Sequence, residues 1–184
     1  MSGPTGQGAR LRCAAVVAAA LLAGALGGCA TGDVTPRPTV PVVVVPDGIV
    51  RFDSVSVSKD VAKPPTFTIG DDTQDTHSFI SYDIVTGTGA TARPTDRVTV
   101  QYVGRSAKTK RQFDSSWDRG RPYTFVPARI AFSAFHDGVP GMRVGGRRLV
   151  IVPAALAFGD SPPAGAGVGP GESLVFVLDL VSVG

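Results

Sequence analysis

Apolar and polar residues alternate along most of the chain from Ser78 onward, which predicts strands rather than long helices. A pattern with a period of two places every second side chain on one face of a sheet. The predicted strands cover Phe79–Val85, Arg97–Val103, Gln112–Ser116, a short segment around Tyr123 and Phe125, Arg147–Val152 and Leu174–Leu180.

One short helix is predicted among these strands, at Ile130–Asp137. Phe132 and Phe135 are spaced to share a helical face, and Gly138 followed by Pro140 should end the helix. A sheet must bury its apolar face, and one helix laid across a curved sheet does so. The pattern therefore predicts an α+β domain with an antiparallel sheet and a pocket between helix and sheet.

The first 28 residues have the composition of an export signal. Arg10 and Arg12 precede an apolar run, Cys13–Leu26, that is too short for a membrane span of about 20 residues. Small residues then lead to Cys29, and this arrangement resembles a bacterial lipobox. We expect Cys29 to become a lipidated N-terminus that anchors the protein outside the cytoplasm. An ordinary signal peptide with an unrelated cysteine is the alternative.

Two segments separate the signal from the main domain, which is predicted for residues 78–184. Residues 29–48 contain four prolines, which disfavour a helix and favour an extended spacer. Within them, Val42–Val45 has an alternative interpretation as an edge strand. Residues 49–77 are an N-terminal extension with one or two predicted strands, Phe52–Ser58 and Thr66–Ile69.

Composition narrows the classes of function. The formal charge is +3, but removing Arg10 and Arg12 with the signal leaves 16 basic against 15 acidic residues. No basic aromatic stripe is present, so nucleic acid is not an expected partner. The two cysteines are Cys13 and Cys29, so the mature domain is expected to fold without a disulfide.

Three patterns suggest metal or phosphate chemistry but have simpler explanations. The segment Asp71–Asp75 has the DDxxD spacing of diphosphate sites, yet its β-forming flanks favour a solvated loop. His77 and His136 lack the spacing of metal ligands. The glycines of Gly165–Gly169 precede a strand, whereas a phosphate loop precedes a helix. We expect neither a metal nor a cofactor.

Aromatic residues concentrate around the predicted helix, between Phe113 and Met142. They are Phe113, Trp117, Tyr123, Phe125, Phe132 and Phe135. Several rings converging on one small helix can build a deep apolar pocket. Asp114, next to Phe113, is placed to aim a polar group at it.

Five motifs that occur in order resemble the FKBP-type peptidyl-prolyl cis-trans isomerase domain. They are VQYVG at Val100–Gly104, FDSS at Phe113–Ser116, GVPGMRVGGRR at Gly138–Arg148, PAALAFG at Pro153–Gly159 and LVF at Leu174–Phe176. The resemblance covers roughly residues 78–184 and implies a curved antiparallel β-sheet wrapped around one short α-helix. With its lipobox and spacer, the chain resembles an exported bacterial lipoprotein of this family. Its bias toward Ala, Val, Arg and Gly suggests an actinobacterial source.

The resemblance also implies which residues line the proline pocket. They are Tyr102, Phe113, Asp114, Phe125, Phe132, Phe135, Phe158 and Phe176. Phe135 would form the floor, and the N–H of Phe132 would hold a substrate carbonyl. Phe113, Phe125 and Phe176 would form the walls. Asp114, oriented by Tyr102, would form a polar rim.

The sequence departs from the family at three of these places. Phe135 stands where the family usually has Trp, and Phe158 where it usually has Tyr. Ala131-Phe132 replaces the usual Val-Ile. Simpler interpretations stay open for several residues: Phe125 and Phe176 as plain core, Tyr102 as a strand residue at a core edge, and Asp114 as a turn residue.

The expected function is cis–trans isomerisation of peptidyl-prolyl bonds in exported, proline-containing polypeptides. Macrolides such as rapamycin are candidate ligands of the same pocket. The first alternative is a proline-binding chaperone or docking module with little turnover, and the second is a structural surface lipoprotein. The membrane would be reached through the lipid on Cys29.

Overall fold

The computed structural model describes residues 43–44, 49–52 and 54–184. All of them belong to one compact unit, Pro38–Gly184. The predicted signal of residues 1–28, the lipidation site Cys29 and most of the spacer lie outside the described residues. Within the spacer, Val43–Val44 forms a short strand, β1, which was the alternative interpretation of that valine run.

The main sheet has six strands, all paired antiparallel. The strands are β5 (Ile80–Val85), β6 (Val98–Ser106), β7 (Gln112–Ser115), β8 (Tyr123–Phe125), β9 (Arg147–Val152) and β10 (Leu174–Val183). Their order in the sheet is β5-β9-β10-β6-β7, with β8 paired to the first residues of β6. The six predicted strands are therefore confirmed, with β6 and β10 extending three residues beyond the predicted ends.

The helix α1 is shorter than predicted and covers Ser133–His136. Pro127–Arg129 forms a 3₁₀ turn before it, and the backbone is extended at Ile130 (φ −103°, ψ 127°) and Phe132 (φ −80°, ψ 118°). The predicted start at Ile130 was therefore wrong. A single turn gains little from its own hydrogen bonds, so the burial of Ala134 and Phe135 holds it in place. Among the described residues, no helix has the length and apolar character needed to cross a membrane.

A second, smaller sheet covers the face of the main sheet that is opposite α1. It has the order β1-β2-β3-β4, with β2 at Ile49–Phe52, β3 at Val55–Ser58 and β4 at Phe67–Ile69. Phe67 packs in one cluster with residues of the main sheet such as Leu149 and Val177. The extension thus forms its own sheet and does not join the main one.

Both faces of the main sheet are therefore buried. Leu174, Phe176, Leu178 and Leu180 face α1, as predicted for one side of β10. Val175 and Val177 face the second sheet. All six residues of β9 are buried, because the two layers cover the sheet from opposite sides.

One buried arginine of the main sheet pairs with an aspartate of the same sheet and also bonds the N-terminal extension. The guanidinium of Arg147, which is fully buried, donates to both carboxylate oxygens of Asp179 at 2.6 and 2.7 Å. It also donates to the carbonyl oxygens of Ser58 at 2.9 Å and Lys63 at 2.8 Å. Burial raises the pKa of the Asp179 carboxyl, and the hydrogen bonds from Arg147 oppose that rise.

Candidate functional site

The predicted aromatic residues meet around Phe135, which α1 holds against β6, β8 and β10. Its ring centroid lies 5.0 Å from Tyr102, 5.3 Å from Phe125, 5.5 Å from Tyr123 and 5.8 Å from Phe176. These pairs are edge-to-face, the arrangement that aromatic rings favour. We call Tyr102, Phe125, Phe135 and Phe176 the inner rings.

Three further rings lie above the inner rings and are only half-buried. These rim rings are Phe113, Phe132 and Phe158. Phe113 contacts Phe176 edge-on at 5.5 Å. Phe132 stacks on Phe158 at 5.4 Å and also contacts Phe176 at 5.6 Å. The structure therefore brings all seven predicted rings into one continuous cluster.

The inner rings have little contact with solvent in this structure. Phe135 is 8% exposed, Phe125 7%, Tyr102 4% and Phe176 2%. Phe132 lies 6.1 Å from Phe135 and partly covers it. A pyrrolidine ring can make full contact with Phe135 only if a covering ring such as Phe132 moves aside.

A polar network closes one side of the aromatic cluster. The hydroxyl of Tyr102 donates to Asp114 Oδ2 at 2.6 Å and accepts from Arg119 Nη2 at 2.7 Å. Arg119 also forms an ion pair with Asp114. Burial and the hydrogen bond to Asp114 raise the pKa of Tyr102 to about 12, so its hydroxyl keeps its proton at neutral pH. The predicted orientation of Asp114 by Tyr102 agrees with this geometry.

Arg119 and Tyr123 belong to the site but are missing from the predicted set. The Arg119 guanidinium lies over the Tyr102 ring at 5.3 Å, and its hydrogen bond to Tyr102 raises the pKa of Arg119 further. Tyr123 stacks on Phe125 at 4.7 Å. The alternation of β8 had placed Tyr123 on the face of Phe125, so a signal existed for it. For Arg119 the signal was weak, since the loop after Asp114 also contains Arg121.

The backbone N–H of Phe132 is available to a ligand. Phe132 immediately precedes the first helical residue, and its carbonyl accepts from the N–H groups of Phe135 and His136 at 3.0 Å each. Its own N–H has no acceptor among the residues that the structure describes. A half-buried donor beside the rings suits a substrate carbonyl.

The other patterns from the sequence do not enter this site. Asp71–Asp75 forms a 3₁₀ helix on the extension instead of the predicted loop. His136 is exposed at the end of α1 and bonds Asp137 at 2.7 Å. Within the described part of the chain, no three acidic, histidine or cysteine side chains group as metal ligands would. Trp117 packs against the opposite core.

A groove of about 470 Å³ lies beside the aromatic cluster and is distinct from it. Its lining comprises Thr109, Arg111, the loop at residues 162–169 and Glu172. None of the eight predicted pocket residues lines this groove.

Comparison with known proteins decides the family. The sequence profile described as FKBP-type peptidyl-prolyl cis-trans isomerase matches residues 89–181, half of the chain. The chain belongs to this family. Two statements follow from this membership. The fold is an antiparallel sheet with little helix, and the activity is the cis–trans isomerisation of peptidyl-prolyl bonds.

Individual relatives agree with the family assignment. An FK506-binding protein of Streptomyces anulatus is 47% identical over 102 residues, which are 55% of this chain and 82% of the relative. A probable FK506-binding protein of Corynebacterium glutamicum is 46% identical over 101 residues, 54% of this chain and 82% of that protein. Among solved structures, the crystal structure of FkpA from Escherichia coli matches this chain with a TM-score of 0.51 and 27% sequence identity. The match covers 58% of this chain and 48% of FkpA.

Gly104 explains how the family motif VQYVG supports the rings. A Cβ atom added there would lie 2.8 Å from Phe176 Cε1 and 2.9 Å from Phe113 Cζ. Both distances are shorter than real Cβ contacts, so a side chain at position 104 would displace a rim ring and an inner ring together. The glycine is required by this close approach.

Gly104→Ala is expected to lower the free energy of unfolding by about 1–3 kcal/mol, the usual cost of overpacking, and to lower kcat/KM about tenfold. Urea unfolding and a peptide isomerisation assay measure the two effects. The double variant Gly104→Ala/Phe113→Leu should regain part of the lost stability, because leucine relieves the contact with Phe113 while the contact with Phe176 remains. No recovery in the double variant would contradict the assignment of the clash to Phe113.

Proposed function

We propose that the aromatic cluster around Phe135 is the site at which this isomerase binds and turns X–Pro bonds of exported polypeptides. The observation that carries the proposal is the convergence of seven rings and one free backbone donor. The family membership, argued above, supplies the reaction. The residue roles are proposed from the geometry.

The reaction needs only a surface that favours the twisted amide. Rotation about the peptide bond has a barrier of about 18–20 kcal/mol because resonance is lost in the twisted state. The twisted amide has less charge separation than the planar one, so apolar surroundings favour it. This is tighter binding of the transition state than of the substrate. A difference of about 5–6 kcal/mol would accelerate the reaction roughly ten-thousand-fold.

Each part of the site has a role in this proposal. Phe135 lies under the proline ring, and Phe113, Phe125 and Phe176 surround it. The N–H of Phe132 donates to a substrate carbonyl. Asp114 and Tyr102 form the polar edge, with Arg119 holding both in place. The ring of Phe132 turns aside to admit the substrate, while Phe158 stays in place on its loop.

A protease-coupled assay on an Ala–Leu–Pro–Phe peptide tests the function. The protein should accelerate isomerisation well above the uncatalysed rate, which has a time constant of tens of seconds at 25 °C. A rate equal to background would contradict the proposal for this substrate class.

A second candidate function is a proline-binding module with slow turnover. The burial of the floor ring, at 8% exposure, and the Phe132–Phe158 stack favour it, because opening the stack costs time. Binding of a proline peptide without turnover would select this function. The names of two relatives include FK506-binding, so we also propose that a macrolide such as rapamycin competes for the same rings.

We further propose that the protein acts outside the cytoplasm, anchored by a lipid on Cys29, and comes from an actinobacterium. The support is the lipobox-like sequence before Cys29, the proline-rich segment after it and the composition. Radiolabelled fatty acid should be incorporated by the natural chain and not by Cys29→Ser. Equal labelling of both would contradict the anchor.

Asp114→Ala is expected to lower kcat/KM about tenfold with little change in thermal stability. Its carboxylate is partly exposed, and partly exposed ion pairs contribute at most about 1 kcal/mol. The polar edge, by contrast, loses the acceptor of the Tyr102 hydroxyl. The assay above measures the rate, and calorimetry measures Tm.

Asp118→Ala is the matched control for that variant. Asp118 is an exposed carboxylate four residues later, in the loop that follows β7, and is bonded to Gln112 and Ser115 rather than to Tyr102. Its kcat/KM should stay within twofold of the natural chain. Equal losses in both variants would show that loop integrity, and not the Tyr102 contact, matters.

A further inference from the structure

The loop between β9 and β10 supplies two parts of the site. Phe158 is a rim ring, and Val168 packs against the same aromatic core. Gly167, at φ +70°, lies so close to Phe113 that an added Cβ would be 3.2 Å from Phe113 Cβ. The position of this loop therefore decides how closely the rim rings approach one another.

The loop is closed at its base by Gly171. The N–H of Gly171 donates to the carbonyl oxygen of Gly159 at 2.8 Å, which joins the residue after Phe158 to the start of β10. Ser173 then leads into the strand and is 1% exposed. Whatever holds Gly171 and Ser173 also holds the base of the loop.

Gln74, from the N-terminal extension, makes most of these contacts, beside the N–H of Ala107, which donates to the carbonyl oxygen of Ser173 at 2.9 Å. Its Nε2 donates to the carbonyl oxygen of Gly171 at 2.9 Å, and its Oε1 accepts from the N–H of Ser173 at 3.2 Å. The hydroxyl of Ser173 donates to the main-chain carbonyl of Gln74 at 3.0 Å. In an extended segment, the C=O of one residue and the N–H two residues later point the same way. The Gln74 carboxamide thus bonds the Gly171 carbonyl and the Ser173 N–H in the way that the backbone of a neighbouring strand would.

The support under Gln74 is itself fixed. Thr73 is 2% exposed, and its hydroxyl bonds that of Ser54 at 2.7 Å. Lys110 Nζ donates to the carbonyl oxygen of Gly70 at 2.7 Å. The 3₁₀ helix at Asp71–Asp75 is therefore anchored to Ser54, just before β3, on one side and to the β6–β7 hairpin on the other.

We propose that Gln74 is a positioning residue for the isomerase site: by bonding Gly171 and Ser173, it fixes the loop that carries Phe158 and Val168 and so strengthens substrate binding. The proposal rests on the site proposed above. It extends that site to a segment before residue 89, where the family match begins. An unfixed loop must be ordered when substrate binds, and that ordering weakens binding.

The test is Gln74→Ala in the full chain, measured in three ways. The dissociation constant for the Ala–Leu–Pro–Phe peptide is obtained by NMR titration, kcat and KM by isomerisation assay, and local opening by amide hydrogen exchange. We expect the dissociation constant and KM to rise about fivefold, with kcat within twofold. Exchange at residues 159–173 should be faster, and exchange in β9 unchanged.

Thr68→Ala is the matched control. Thr68 bonds Ser56 within the extension and is exposed, so the variant removes one hydrogen bond from the same segment without touching the loop. It should leave all three quantities unchanged. In Gln74→Glu the side chain can still accept from the N–H of Ser173. Its carboxylate cannot donate to the carbonyl oxygen of Gly171 and is repelled by it, so this variant should behave like Gln74→Ala.

Two results would overturn the inference. The first is exchange in the loop of Gln74→Ala that equals exchange in Thr68→Ala. The second is faster exchange in the loop with an unchanged dissociation constant, since the bond would then not reach the site. A natural chain that binds the peptide without turnover would count against the proposed function alone, because the binding and exchange measurements still decide the role of Gln74.

Discussion

Phe176→Ala is expected to lower kcat/KM at least about 100-fold while the chain stays folded. Phe176 contacts Phe113, Phe132 and Phe135 at centroid distances of 5.5, 5.6 and 5.8 Å. Each aromatic pair contributes about 0.5–1.5 kcal/mol. Losing the ring removes one wall of the proposed pocket and the ring against which Phe113, Phe132 and Phe135 pack. The expected 100-fold loss in rate corresponds to about 2.7 kcal/mol of lost binding to the twisted amide. The measurement is the isomerisation assay at low temperature, with circular dichroism to confirm folding.

Phe67→Ala is the matched control for this variant. Phe67 is also a buried phenylalanine, 5% exposed against 2% for Phe176, but it packs in the core between the two sheets. Both substitutions should cost about 3–5 kcal/mol of stability, as is usual for buried phenylalanine. Phe67→Ala should keep kcat/KM within about twofold. Equal losses of rate would mean that Phe176 is core alone, which is the simpler interpretation of its burial.

The strands of the main sheet could be predicted from the sequence because their signal is local. In β10 the alternation of Leu174, Phe176, Leu178 and Leu180 directly identifies one face. The intervening Val175 and Val177 are also apolar, and such continuous runs are typical of strands buried on both faces. The runs in β9 and β10 are compatible with a second covering layer, but they do not identify the distant segment that supplies it.

The start of α1 could not be predicted because tertiary contacts override the local pattern there. Phe132 and Phe135 have helical spacing, yet Phe132 is extended and its ring lies between Phe158 and Phe176. The spacing correctly predicted that the two rings lie near each other, at 6.1 Å. The helical conformation from which that contact was predicted is wrong at Phe132. Contacts between distant segments decided the backbone at this position.

The polar contacts of the site were harder to predict than its rings. Asp114 is indicated by its position beside Phe113 and its contact with Tyr102 by the family resemblance, whereas Arg119 and Gln74 have no periodic signal. Gln74 meets Ser173 across 99 positions of sequence, and nothing local indicates that pairing. The apolar part of the site follows from pattern, and the polar part depends on where loops come together.

Arg147→Met is expected to lower the free energy of unfolding by about 3–5 kcal/mol, the cost of breaking a buried ion pair by removing one partner. Asp179, 4% exposed, would remain as an uncompensated buried carboxylate. The carbonyl oxygens of Ser58 and Lys63 would also lose their donor, so the second sheet should loosen from the main one. Urea unfolding at constant m-value measures the loss.

The pH dependence of Arg147→Met separates the buried charge from the lost packing. Burial raises the pKa of Asp179 in the folded chain, and without the opposing Arg147 the pKa must rise further. A carboxyl whose folded pKa lies above its unfolded value destabilises the fold fully above the folded pKa. That penalty fades as the pH falls toward the unfolded pKa. The deficit of Arg147→Met relative to the natural chain should therefore be smaller at pH 5 than at pH 8. Adding Asp179→Leu should restore part of the stability and remove this pH dependence, whereas a deficit that is equal at both pH values would show that packing alone accounts for the role of Arg147.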